Sequence, residues 1–326
     1  MDIMAYFNSL NLATLPGRIP AGAAQGLIWG LMALGVYITF RILNIADLTV
    51  DGSFTTGGAV TVMLILGGYN PVVALLAAMI TGTLAGMCTG LLHTKLGIPP
   101  ILAGILTQFS LYSINLRIMG SAANKALNAD KYNLIISSRN ISPAIITGIL
   151  LAIIFVAVLY WFFGTEKGTA LRATGNNPLM SSAQGINIDT MKVLGLGLSN
   201  ALVALSGGFI SQFQGFADIN MGRGAIVIGL AAVIIGEVLY NIFFKKHGNF
   251  AISMLFVVFG GVVYYIVVVL VLWLKLPSND LKLFTAVIVA VFLAVPYLQA
   301  QAKSSFKRLK KDSKKLSDEG GMSKNA

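Results

Sequence analysis

The chain has 326 residues, 56% of them hydrophobic and only 11% charged, and its mean hydropathy is +0.81. That composition excludes a water-soluble domain with a polar surface, so the formal net charge of +11 is read through the charge asymmetry of membrane loops rather than as a nucleic-acid footprint. A single cysteine, Cys88, excludes an intramolecular disulfide, and its place among small residues in mid-span predicts a core position.

Nine apolar runs, each bounded by Gly, Pro, Asn or charge, predict spans near 21–40, 54–68, 72–92, 99–119, 143–163, 191–213, 224–244, 250–274 and 281–298. Most approach the roughly 20 residues a helix needs to cross the hydrocarbon core. Period-two alternation is missing, which leaves an all-α polytopic helical bundle as the expected fold. The first twenty residues form an N-terminal segment without the basic start and apolar core of a cleaved signal.

Seven Lys or Arg between Lys303 and Lys315 place the tail 299–326 on the cytoplasmic side, against anionic lipid. Counting back through nine spans puts loops 93–98, 164–190 and 245–249 inside. Loops 67–71, 120–142 and 275–280, with the N-terminus, fall outside.

In the first and third spans, Gly22, Gly26 and Gly30, and then Gly82, Gly86 and Gly90, each recur every four residues. Small residues at that spacing predict close helix contacts. The stretch "ADLTVDGSFTTGG", residues 46–58, puts two aspartates and four hydroxyls at the start of the second span. Phe54 to Gly68 alone is too short to cross, so the polar stretch is expected to enter the membrane as irregular backbone or as a first helical turn.

Shifting the sequence by 171 residues lays residues 26–34 on 197–205, "ADLTV" (46–50) on "ADINM" (217–221), and Gly58 on Gly229. Five crossings separate the copies, so they run in opposite directions, as an inverted repeat with half-repeats of about 21–163 and 191–298. In transporters of this build, interrupted segments at matching places mark the translocation path. Asp47, Thr49, Asp51, Ser53 and Thr55, with Asp218, Asn220 and Arg223, are the candidates. The competing reading makes the aspartates helix caps, with the hydroxyls bonded to nearby carbonyls.

The inside loop 164–190 carries "GNNPLMSSAQG". Asn177 suits an N-cap, Pro178 the first helical position and Gly185 the stop, predicting a short helix from Pro178 to Gln184. Seven residues do not stay helical alone in water, so this helix needs a partner, to which it shows Leu179, Met180 and Ala183.

The longer stretch "GTALRATGNNPLMSSAQGINIDTMKVLGLGLSNALVALSGG" resembles the cytoplasmic coupling segment and following span of ABC importer permeases of the branched-chain amino acid and ribose class. The resemblance rests on Gly168, Leu171, Arg172, Ala173, Gly175, Asn177, Pro178, Ala183, Gly185, Ile186, Asn187, Ser206, Gly207 and Gly208, and extends from about Ala21 to Pro296. "NIADLTVDGSFTTGGAV" looks closest to a branch associated with tryptophan or tyrosine.

The resemblance implies a vitamin B12-permease type of fold, residues 21–298 forming the permease domain beside a second, identical chain. A cytoplasmic ATPase dimer would bind ATP in trans and dock on Leu171, Arg172, Ala173, Gly175, Asn176, Asn177, Pro178, Leu179, Met180, Ala183 and Gly185. An extracytoplasmic binding protein would deliver the solute, an aromatic or branched-chain amino acid, across a bacterial plasma membrane.

No P-loop motif G-x-x-x-x-G-K-[ST] occurs, so no ATP hydrolysis by that route, and no cofactor, is expected in this chain. His93, His247 and Cys88 do not cluster with acids in a metal-binding pattern, and no G-x-S-x-G is present. Glu237, the one acid inside an apolar run, supports the alternative of a secondary transporter driven by an ion gradient.

Overall fold

The computed structural model describes residues 15–129, 131–244 and 249–273, with isolated positions between 283 and 294. Residues 1–281 form one compact unit and 282–326 another, and every element named below belongs to the first. In the second unit the described positions Leu283, Val287 and Val291 are helical and exposed.

The regular structure of the described residues is helical apart from two three-residue strands. Helix α1 (Leu15–Tyr37) starts earlier than the sequence suggests and runs into a π-helical turn, Ile38–Ile42. Then follow α2 (Thr49–Leu66), α3 (Pro71–Lys95), α4 (Pro100–Ile118), β1 (Asn124–Ala126), α5 (Ile141–Gly164), α6 (Glu166–Asn176), α7 (Pro178–Ala183), α8 (Ile188–Gln214), β2 (Phe216–Asp218), α9 (Ala225–Phe243) and α10 (Phe250–Trp273). Among the described residues, 8 helices are long and apolar enough to span a membrane. The expected ninth span, 281–298, lies outside the described residues except at isolated positions, as do the tail, Lys245, Lys246 and His247.

Local chemistry sets the ends. Asn70 caps α3 by accepting the Val72 N–H at 2.8 Å, with Pro71 at the first helical position. Asn187 does the same for α8 through the Thr190 N–H, and α8 stops at Gly215, whose φ of +78° is left-handed. The polar stretch of the second span is resolved as helix: α2 begins at Thr49, and only residues 43–48 break the chain between spans.

The bundle centre is α1, α2 and α8, about four-fifths of whose residues are buried, whereas α4 and α5 are mostly exposed on its flank. Close packing rests on the two glycine stripes. Gly82, Gly86 and Gly90 press on Asn200, Leu196 and Val193 of α8, and Gly22, Gly26 and Gly30 on Val269, Val262 and Val258 of α10. Side chains at these glycines would meet the facing backbone, or at Gly22 the Val269 side chain, which is why backbones approach only through small residues.

Two contacts between α1 and α8 exchange under the 171-residue shift. Ser206 Oγ donates to Ile28 O at 2.8 Å, and Ser199 Oγ donates to Gly35 O at 2.7 Å. Residue 28 corresponds to 199 and 35 to 206, so the pairs 28–206 and 35–199 exchange about a two-fold axis between antiparallel helices, although both hydroxyl donors belong to α8 and both carbonyl acceptors to α1. The fold is therefore an inverted repeat at the level of contacts as well as sequence.

The structure departs from the sequence reading in two places. β1 and β2 pair antiparallel, with Asn124 opposite Asp218, so the second polar break begins as a strand; pairing satisfies backbone groups that a break in a span exposes. Cys88 is exposed on the outer face of α3 instead of buried, because the inner face of that helix is given to the glycine stripe. Trp29 and Phe54 stack in the core with ring centroids 4.7 Å apart.

Candidate translocation site and coupling surface

The two polar breaks share a local geometry. Asp47 Oδ1 accepts the Thr49 N–H at 2.9 Å, and 171 residues on, Asp218 Oδ1 accepts the Asn220 N–H at 2.8 Å. Each carboxylate closes a turn two residues ahead, an Asx-turn in the break and not a cap on the helix that follows.

The breaks also interlock. Asp51, in the first turn of α2, reaches across to the start of α9: Oδ2 accepts the Gly224 N–H and Oδ1 the Ile226 N–H, both at 2.9 Å. In return Gly222 N–H donates to Thr55 Oγ1 at 3.1 Å. The pairs 51–226 and 55–222 exchange under the same shift. An α-helix begins with unbonded N–H groups and a partial positive charge, so the carboxylate of one half satisfies the helix start of the other. Gly222 lies against the Asp51 carbonyl, and no side chain would fit there.

The candidate path residues then separate. Asp51, Thr55 and Arg223 line one cavity of about 420 Å³ together with Gln108, Tyr112 and Asn115 of α4. Asp47 is buried deeper, its Oδ2 accepting Asn200 Nδ2–H at 2.7 Å. Thr49 bonds Thr89 at 2.7 Å, and Thr89 bonds Thr107 at 2.9 Å, giving a buried hydroxyl relay between α2, α3 and α4. Ser53 is fully buried and its Oγ has no partner. Asp218 and Asn220 stand at the antiparallel pair of β1 and β2, with Asn124 Nδ2 3.4 Å from Asp218 Oδ2. Sequence reasoning missed Asn200, Thr89, Gln108 and Asn115, although a polar side chain inside an apolar span was the available signal.

At the other end, the segment 165–187 divides into packed and exposed residues. Thr165 caps α6 through the Gly168 N–H, and Leu171 is fully buried. Gly175 sits so tightly on Ile42 and Leu43, at the end of the π-helical turn, that a side chain would strike the Ile42 carbonyl. Arg172 lies 5.5 Å from the Phe250 ring centroid. Asn177 caps α7 through the Met180 N–H at 3.1 Å, with Pro178 at the first position, and Gly185 past its end has φ +83°. Leu179 is 84% exposed and Met180 60%, with Asn176, Asn177, Pro178 and Ala183 exposed as well. Ala173 is half-buried. The expected docking residues are thus of two kinds: Leu171 and Gly175 hold α6 to the bundle, and α7 presents the free surface.

Glu237 Oε1 is bound by Arg41 Nε at 2.8 Å. Its carboxylate is paired with a cation on the π-helical turn. Among the described residues no group of three or more His, Cys, Asp or Glu could hold a metal ion.

A polytopic bundle whose interlocked breaks line a polar cavity, and whose connecting loop exposes a capped amphipathic helix, is a membrane permease subunit. The chain belongs to the family described as branched-chain amino acid transport system / permease component, whose model matches residues 19–296. It is 40% identical over 287 residues to the Tyrosine transport system permease protein of Clostridioides difficile (strain R20291), covering 87% of this chain and 93% of that one. It is 30% identical over 255 residues to the Autoinducer 2 import system permease protein LsrC of Escherichia coli O157:H7, covering 73% of this chain and 71% of the relative. A solved structure, PsaBC from Streptococcus pneumoniae in complex with Fab, aligns with 90% of this chain and 94% of its own at a TM-score of 0.46 and 17% identity.

Proposed function

We propose that this chain forms the translocation path of an ATP-driven importer for an aromatic amino acid. Two copies would stand side by side in a bacterial plasma membrane, their C-terminal tails in the cytoplasm, on an ATPase dimer that binds and hydrolyses ATP in trans. An extracytoplasmic binding protein would deliver the solute. The amino acid class rests on the family and on the tyrosine permease that this chain resembles.

The observation that carries the reading is the exposed, capped helix α7 joined through Gly175 to the π-helical turn. A short helix with 84% of Leu179 in the open has no fold-internal use for that residue. Held rigidly by α6, it transmits a push from a docked ATPase to Ile42 and the break at 43–48, and from there to α2. Such a movement alternates the bundle between two openings. The half-repeats 21–163 and 191–298 would rock against each other about the interlocked breaks.

The test is reconstitution of the chain with its partner ATPase and binding protein in proteoliposomes. ATP-dependent uptake of labelled aromatic amino acid is the expected result; uptake that proceeds without any ATPase sinks the reading. The secondary-transporter alternative needs Glu237 to exchange a proton while paired with Arg41, and uptake by the Glu237→Gln variant decides it.

A further inference from the structure

The cavity beside the interlocked breaks holds groups that capping does not use. Asn115 is 1% exposed, yet neither its amide nitrogen nor its amide oxygen has a hydrogen-bond partner. Burying an amide with both ends unpaired is costly, and such a group in a cavity wall is accounted for by a partner that arrives. Arg223 is exposed, and the salt bridge among the described residues is between Arg41 and Glu237, so its guanidinium is not committed to an acid. Phe109 and Tyr112 stand at the rim, 71% and 41% exposed. Charged groups do not face hydrocarbon, so aromatics beside Asp51 and Arg223 border a water-filled recess.

Resting on the importer reading above, we infer that this cavity is a subsite in the permease itself for an aromatic α-amino acid carrying a ring hydroxyl. The α9 N-terminus is already occupied by the Asp51 carboxylate, so the helix start is closed to a substrate carboxylate, and Arg223 takes it through a forked pair of N–H donors. Each Asp51 oxygen accepts one backbone N–H and keeps a lone pair for the substrate ammonium. Phe109 and Tyr112 offer their faces to the ring. Gly52 packs between Leu111 and Gln108, setting Asp51 level with that turn of α4, and Asn115 lies four to seven residues further along the helix. Four to seven residues of α-helix rise about 6–10 Å, which suits a substrate that puts its zwitterion at one end and its hydroxyl at the other. The Asn115 amide both donates to and accepts from that hydroxyl. The cavity, about 420 Å³, is within the ordinary range for small-molecule sites.

The test uses the full complex of permease, ATPase and binding protein in proteoliposomes, with L-tyrosine and L-phenylalanine as probes and binding-protein affinity for each measured separately by calorimetry. Asn115→Leu removes two unpaired polar atoms and should fold normally, checked by co-purification with the ATPase and by binding-protein-stimulated ATP hydrolysis. It is expected to lower the tyrosine-to-phenylalanine uptake ratio at least five-fold with ATP hydrolysis retained, while Arg223→Gln lowers uptake of both. Wild-type tyrosine uptake with both variants indistinguishable from it overturns the subsite and leaves the importer reading standing. No tyrosine uptake by the wild type removes the amino acid reading and the subsite together.

Discussion

Asp51 and Ile226 lie 175 residues apart in sequence, and the carboxylate of the first accepts the backbone N–H of the second at 2.9 Å. Through this bond and its neighbour at Gly224, the start of one polar break holds the end of the other. Replacing Asp51 with Asn keeps the shape and removes the charge. It should cost about 1–2 kcal/mol, the range for a lost cap interaction with a helix start. Thermal unfolding of the purified protein in detergent measures it, and an unchanged midpoint contradicts the capping role.

The two serines that tie α8 to α1 should behave alike, because each gives one buried hydroxyl to a facing carbonyl. Ser199→Ala and Ser206→Ala each remove one hydrogen bond to a facing carbonyl, worth about 0.6 kcal/mol in membrane helices. Nearly equal, small losses are expected in the same unfolding assay. A large effect at one site and none at the other denies that the contacts are equivalent.

Asp47 depends on Asn200, which donates its amide N–H to Oδ2 in a fully buried site. Asn200→Leu leaves that oxygen buried without its side-chain donor and should cost about 1–3 kcal/mol. Asp47→Asn, which keeps an acceptor for Thr49, should cost less. The reverse order, read from unfolding midpoints, rules out this account of the pair.

Residues in the connecting segment should separate by assay. Gly175→Leu forces a side chain onto the Ile42 carbonyl, so both thermal stability and ATPase co-purification are expected to fall. Leu179→Asp alters an exposed position and should abolish ATPase co-purification with stability unchanged. Normal co-purification of the Leu179→Asp variant would remove α7 as the docking element.

Glu237→Gln should retain ATP-driven uptake. Arg41 is 62% exposed and Glu237 26%, and an ion pair that solvent reaches contributes about 0–1 kcal/mol. Abolished uptake with normal expression would instead favour a proton-carrying role.

Much of this protein was legible without coordinates because its signals are local. Long apolar runs dictate helices in lipid, where backbone groups must be satisfied within each segment. The cap at Asn177, with Pro178 after it and Gly185 at the stop, appears as the chemistry requires, and the 171-residue repeat is visible in matched residues. What only the tertiary structure decided was pairing across distance. Composition does not say that Asp51 caps α9 while Asp47 turns to Asn200, that Cys88 faces outward, or that Gly175 packs inward while Leu179 does not. Nor does it bring Asn115 and Arg223 to one cavity. Helix formation is settled by neighbours three and four residues apart, whereas these arrangements depend on which faces of separate helices meet, and that choice belongs to the packed bundle as a whole.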